Sequence, residues 1–160
     1  MDVALVLGGG GARGFAQIGA IEVLQAHGFH ITSVAGTSMG ALVGGLFVAG
    51  KMEELKVIAH RLTKMQMLKM MDVSPGLDHL ASGERLLKEL RQLVGEVRIE
   101  ELSIPFACVA SDVVSGKAHV FREGELAQAI RASVSIPCLI PFSTSFMCAS
   151  FAFLLGSVSR

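Results

Sequence analysis

Two short apolar runs near the start of the chain, Val3–Leu7 and Ile31–Ala35, each lead into a glycine cluster and then a helical segment. Apolar runs of this length, bounded by glycine, are those of strands covered on both faces, which is the condition of a parallel sheet. After the first run, Phe15, Ile18, Gly19, Ile21, Glu22 and Leu24 follow helical spacing up to Gly28. After the second, Ala41–Ala49 is apolar and helical in character. Strand, glycine loop, helix, strand, sharp turn and helix within 50 residues predict an α/β fold with a mainly parallel sheet.

The rest of the chain continues that pattern. Met52, Leu55, Ile58, Leu62 and Met65 repeat at steps of three and four, as do Leu86, Leu87, Leu90, Leu93 and Val94. The second repeat predicts a helix capped at Ser82, with a loop over 71–83 before it. Strands are expected over 104–110 and 118–121, with a turn at Ser111–Gly116 and a helix over 125–132. Met65, Met67, Met70 and Met71 form a soft cluster whose default role is core packing, a lipid-facing lid being the alternative.

Composition narrows the function classes. The chain has 160 residues, 51% of them hydrophobic and 18% charged, which suits one domain with a packed core and excludes a disordered chain. Lys and Arg number 14, as do Asp and Glu, and a nucleic-acid binder relying on phosphate contacts would carry a basic excess. Cys108, Cys138 and Cys148 form no CxxC pair and no disulfide framework, so reduced thiols are expected, without a metal site. The start Met1-Asp2-Val3 lacks the basic region of a signal peptide, which predicts a cytoplasmic chain. No charged residue occurs from Ala132 to Ser159, a stretch broken early by Pro137 and Pro141 and mixed with serine, so a membrane-inserted tail is the weaker reading beside a compositional accident or an interfacial segment.

Gly9-Gly10-Gly11-Ala12-Arg13-Gly14 fits G-x-G-x-x-G after a strand. A dinucleotide site would need an acid near the end of the second strand, and none lies between Gly28 and Gly50. An anion nest fits better: successive glycine N–H groups at a helix start point at one spot, with Arg13 beside them, and can hold an oxyanion. A tight structural turn is the plainer alternative. Gly45–Lys51 mimics a phosphate loop, but Met52 stands where the hydroxyl is needed, and Gly50 reads as a helix cap.

Gly36-Thr37-Ser38-Met39-Gly40 is G-x-S-x-G at a strand-to-helix junction, the pattern of a nucleophile elbow. The turn strains the serine, so Gly36 and Gly40 must lack bulk, and the Met39 amide becomes a further oxyanion donor. The plainer alternative is a glycine-rich turn with Ser38 as a helix N-cap.

Together these motifs resemble the patatin-like lipid acyl hydrolases. The resemblance extends through Ala110-Ser111-Asp112 with Gly116, and through Arg131-Ala132-Ser133 followed by Ser135-Ile136-Pro137. It implies a three-layer α/β fold and a serine hydrolase of fatty-acyl esters or phospholipids, in transient contact with a membrane surface and without a cofactor. It implies Ser38 as nucleophile, with Gly9, Gly10 and Gly11 in the oxyanion loop and Arg13 assisting. The family's dyad aspartate stands in a DG[GA] motif downstream, and this chain has no Asp or Glu after Glu125. Residues 1–142 therefore read as a partial patatin-like domain, truncated or frame-shifted near Phe142, and 143–160 as a divergent uncharged tail. Asp112, after a sheet strand, is the candidate substitute base, alone or with His119; a turn bonding its own backbone is the preferred alternative. Two rival functions follow: a non-catalytic remnant binding acyl lipid or a protein partner, and, more remotely, a nucleotide-binding module.

Overall fold

The computed structural model describes residues 1–61, 79–112 and 115–135, without the side chains of 61 and 79–85. The methionine cluster, the Ile136-Pro137 segment and the uncharged tail lie outside the described residues. Within them the order is β1 (Asp2–Leu7), a 3-10 turn (Gly11–Phe15), α1 (Ala16–Ala26), β2 (His30–Thr37), α2 (Met39–Val48) and α3 (Met52–Arg61). Then come α4 (His79–Val94), β3 (Phe106–Ser111), β4 (Ala118–Phe121) and α5 (Leu126–Val134).

The sheet runs β1-β2-β3-β4, with β1, β2 and β3 parallel and β4 antiparallel to β3. Strands added in one direction through right-handed crossovers place their connecting helices on one face. That face carries Leu7, Val34 and Phe106, and α2 packs so closely on it that a Cβ at Gly44 would lie 2.8 Å from Val34 Cγ1. Helix α2 is almost wholly buried, and α5 closes against it through Leu126 and Ile130, both 0% exposed. Lys56 of α3 pairs with Glu22 of α1, so these helices share the same layer. The described residues supply the sheet and one helical layer.

Several sequence expectations shift in detail. β1 was expected to be buried on both faces, yet Val6 is 59% exposed, because the described helices cover only the other face. β3 starts at Phe106 and not at residue 104: Pro105 has no amide for the ladder, and only its carbonyl joins, accepting from Val34 N at 2.9 Å. Helix α4 starts at His79, ahead of the expected Ser82 cap, so part of the expected 71–83 loop is helix. Serine is tolerated within a first helical turn as well as at a cap, so residue type alone does not locate the boundary. The glycine loop enters α1 through a 3-10 turn, in which Arg13 N donates to Gly10 O at 3.1 Å. Gly50 does end α2, with φ +70°, so the phosphate-loop lookalike lies in a helix and its cap.

Candidate functional site

The two glycine motifs meet at the ends of β1 and β2, which are adjacent and parallel. Ser38 follows the last residue of β2 and precedes the first of α2. Its backbone has φ 52° and ψ −122°, and it is the only non-glycine residue with positive φ among those described. Such geometry costs of order 1–3 kcal/mol and persists only where its surroundings impose it. An ordinary N-cap serine is extended and bonds the amides of the first turn, whereas Ser38 makes no side-chain capping bond. The capping alternative therefore does not describe this serine.

The flanking glycines are required by space. A Cβ at Gly36 would lie 2.6 Å from the Gly40 carbonyl carbon, and one at Gly40 would lie 2.7 Å from the Gly8 carbonyl oxygen. The elbow folds back on itself and against the end of β1 at once. Met39 is buried and packs on Gly14, linking the first turn of α2 to the glycine loop.

The glycine loop lies beside Ser38. A Cβ at Gly9 would stand 3.5 Å from Ser38 Cβ. Gly10 and Gly11 have φ +147° and +53°, conformations that residues with a side chain avoid. Gly9 and Gly10 are exposed, and Gln17 Nε2 holds the loop's base by donating to Gly8 O at 2.7 Å. Arg13 is exposed at the end of the 3-10 turn. The structure thus brings together Ser38, Met39 and the Gly9–Gly11 loop.

Asp112 sits elsewhere. It is exposed and opens the β3–β4 hairpin, where its N–H donates to Lys117 O and its carbonyl accepts from Gly116 N, both at 2.8 Å. Its Oδ2 accepts from Ser115 Oγ at 2.7 Å. Thr37 pairs with Val109 and Ser38 lies one residue further on, so two residues carry Asp112 roughly 7 Å along the strand beyond the level of Ser38. His119 pairs with Ala110 on β4 and stacks edge-on with Phe121 at 4.5 Å. Among the described residues, no carboxylate or imidazole hydrogen-bonds to Ser38 Oγ. Cys108, beside Gly36 in the sheet, is fully buried, and burial pushes its thiol up to about 12, which removes it as a nucleophile.

Two residues at this site were given no role by the sequence, although Ser133 stands in the Arg131-Ala132-Ser133 segment noted above. Gln17 reads as a polar position on α1. Ser133, near the end of α5, accepts from Ser38 N at 2.9 Å and donates to Val109 O at 2.6 Å. The two serines are 95 residues apart, a separation that periodicity does not reach.

Fold and site define an α/β protein whose adjacent parallel strands end in a glycine loop and a strained serine turn. The family profile of the patatin-like phospholipases matches residues 5–145, and the chain belongs to that family. An uncharacterized NTE family protein of Mycobacterium bovis is 45% identical over 138 residues, 86% of this chain and 38% of the relative. One from Mycobacterium tuberculosis matches equally. The neuropathy target esterase sws of Drosophila persimilis is 31% identical over 145 residues, 88% of this chain and 10% of the relative. The chain thus spans 38% of the length of the mycobacterial relatives. The crystal structure of the type III effector protein ExoU shares the fold with a TM-score of 0.52 at 16% identity, covering 85% of this chain and 39% of that one.

Proposed function

We propose that this chain carries the nucleophile half of a serine acyl hydrolase acting on fatty-acyl esters of lipids. The observation that carries the reading is the left-handed backbone of Ser38 beside the glycine loop. Membership of the patatin-like phospholipases and the likeness to a neuropathy target esterase support the substrate class.

In the proposed reaction, Ser38 Oγ attacks the ester carbonyl carbon while a carboxylate takes its proton. Negative charge gathers on the carbonyl oxygen, where the Gly9–Gly11 amides and the Met39 amide donate to it, with Arg13 adding positive charge nearby. The intermediate expels the alcohol, which recovers the proton, and water then releases the fatty acid from acyl-Ser38. Among the described residues no helix is long and apolar enough to cross a membrane.

The base decides between two readings. Asp112 is engaged in the hairpin, and the sequence has no acid after Glu125. This favours, as the second reading for the chain by itself, binding of acyl lipid or of a protein partner without turnover. Hydrolysis of a short p-nitrophenyl ester, compared with Ser38→Ala, separates them. Turnover lost in the variant supports the hydrolase; Asp112→Asn then tests the base. A folded chain without turnover supports binding alone.

A further inference from the structure

We propose that Ser133 is the positioning residue that holds Ser38 in its strained conformation, by replacing one rung of the β-ladder. The inference rests on the reading of Ser38 as nucleophile for its functional consequence, but not for its structural content.

The ladder itself sets up the argument. Val34 of β2 pairs with Phe106 of β3, and Val34 N donates to Pro105 O at 2.9 Å. A parallel ladder repeats every two residues along the strand. The same pattern carries Gly36 N to Ala107 O and would carry Ser38 N to Val109 O. At Ser38 the chain leaves the sheet with φ 52°, and that last bond is not made directly. The Ser133 hydroxyl stands between the two groups, accepting from Ser38 N at 2.9 Å and donating to Val109 O at 2.6 Å. Thr37 Oγ1 also approaches Val109 O, at 3.4 Å.

A hydroxyl is suited to this place because it donates and accepts at once. The rung is lengthened by one oxygen, which lets the backbone lift out of the sheet while Ser38 N and Val109 O both remain satisfied. A backbone group left unpaired in this part-buried place would favour the relaxed, extended turn, so the hydroxyl stabilises the strained geometry relative to the relaxed one. Ser133 reaches the elbow because α5 packs on both α2 and β3, near its own C-terminal end.

The test has two arms, both on the full chain. In the first, amide exchange of Ser38 is followed by NMR in wild type, Ser133→Ala and Ser133→Thr, with the Ile21 and Leu46 amides as core references. Ser133→Ala should speed Ser38 exchange at least about tenfold while leaving the references unchanged, and Ser133→Thr should keep it slow. Unchanged Ser38 exchange in Ser133→Ala overturns the proposal, as does equal loosening of the core amides. In the second arm, ester hydrolysis by Ser133→Ala should lose about 10²-fold in kcat with KM within about twofold, and Ser133→Thr should recover most of it. Ser135→Ala removes a hydroxyl that bonds only Arg131 O, at 2.8 Å, and should match wild type. A kcat equal to wild type in Ser133→Ala overturns the proposal. If turnover is absent in wild type or survives in Ser38→Ala, the hydrolase reading fails, while the exchange arm still decides the role of Ser133.

Discussion

The two strand-to-helix connections of this chain are both glycine-rich and lie side by side, yet glycine serves them differently. In the loop after β1, Gly10 and Gly11 take conformations that side chains avoid, and a Cβ at Gly11 would meet nothing within 4 Å. Freedom of the backbone is what that loop needs, and its amides are left toward solvent. In the turn after β2, the glycines have no positive φ, and a Cβ at either would strike backbone. There glycine supplies room, and the positive φ falls on Ser38. One loop is shaped by local flexibility; the other is forced by its surroundings.

That contrast is broken most severely at Gly40. Gly40→Ala drives a Cβ into the carbonyls at the end of β1, and stability should fall by about 3 kcal/mol or more, read by urea denaturation. A loss below about 1 kcal/mol would show that the turn can relax.

A paired substitution sharpens the comparison further. Ser38→Gly should raise stability by about 1 kcal/mol, because glycine adopts this φ without strain, while ester turnover disappears. Gly10→Ala, in the other loop, should lower stability by about 1 kcal/mol for the converse reason. Equal signs at the two positions would refute the division of roles.

The smallest effect concerns pH. Arg91 of α4 grips Glu125, at the start of α5, through Nε to Oε1 at 2.6 Å and Nη2 to Oε2 at 2.8 Å. The Arg91 guanidinium, with help from Gln128, holds the Glu125 carboxyl below its ordinary value, partly offset by burial. A group whose folded value is depressed stabilises the fold above its unfolded value, about 4.3, and loses that contribution as pH falls through the lower folded value. Because α5 carries Ser133, acid should loosen the Ser38 amide before the glycine loop. Glu125→Gln should remove this part of the acid dependence, read by circular dichroism between about pH 5 and 2.

Sequence alone determined much of this protein. The apolar runs, glycine clusters and helical spacings specified an α/β order with a mainly parallel sheet, because burial and backbone freedom are written in residue type and period. G-x-S-x-G pointed to Ser38, since only glycine fits where Gly36 and Gly40 are packed against backbone. The boundary of α4 escaped, because serine is at home in a cap and in a first turn alike. The exposure of Val6 escaped as well, since an apolar run states what could be covered and not which face the helices take. The turn at Asp112 was legible too, and tertiary structure added the donor to its carboxylate, Ser115 Oγ. It also decided that Ser133, 95 residues from Ser38, supplies the hydroxyl beneath it. A hydrogen bond across the sheet depends on which strand lies next to which, and that order exists only once the helices have packed.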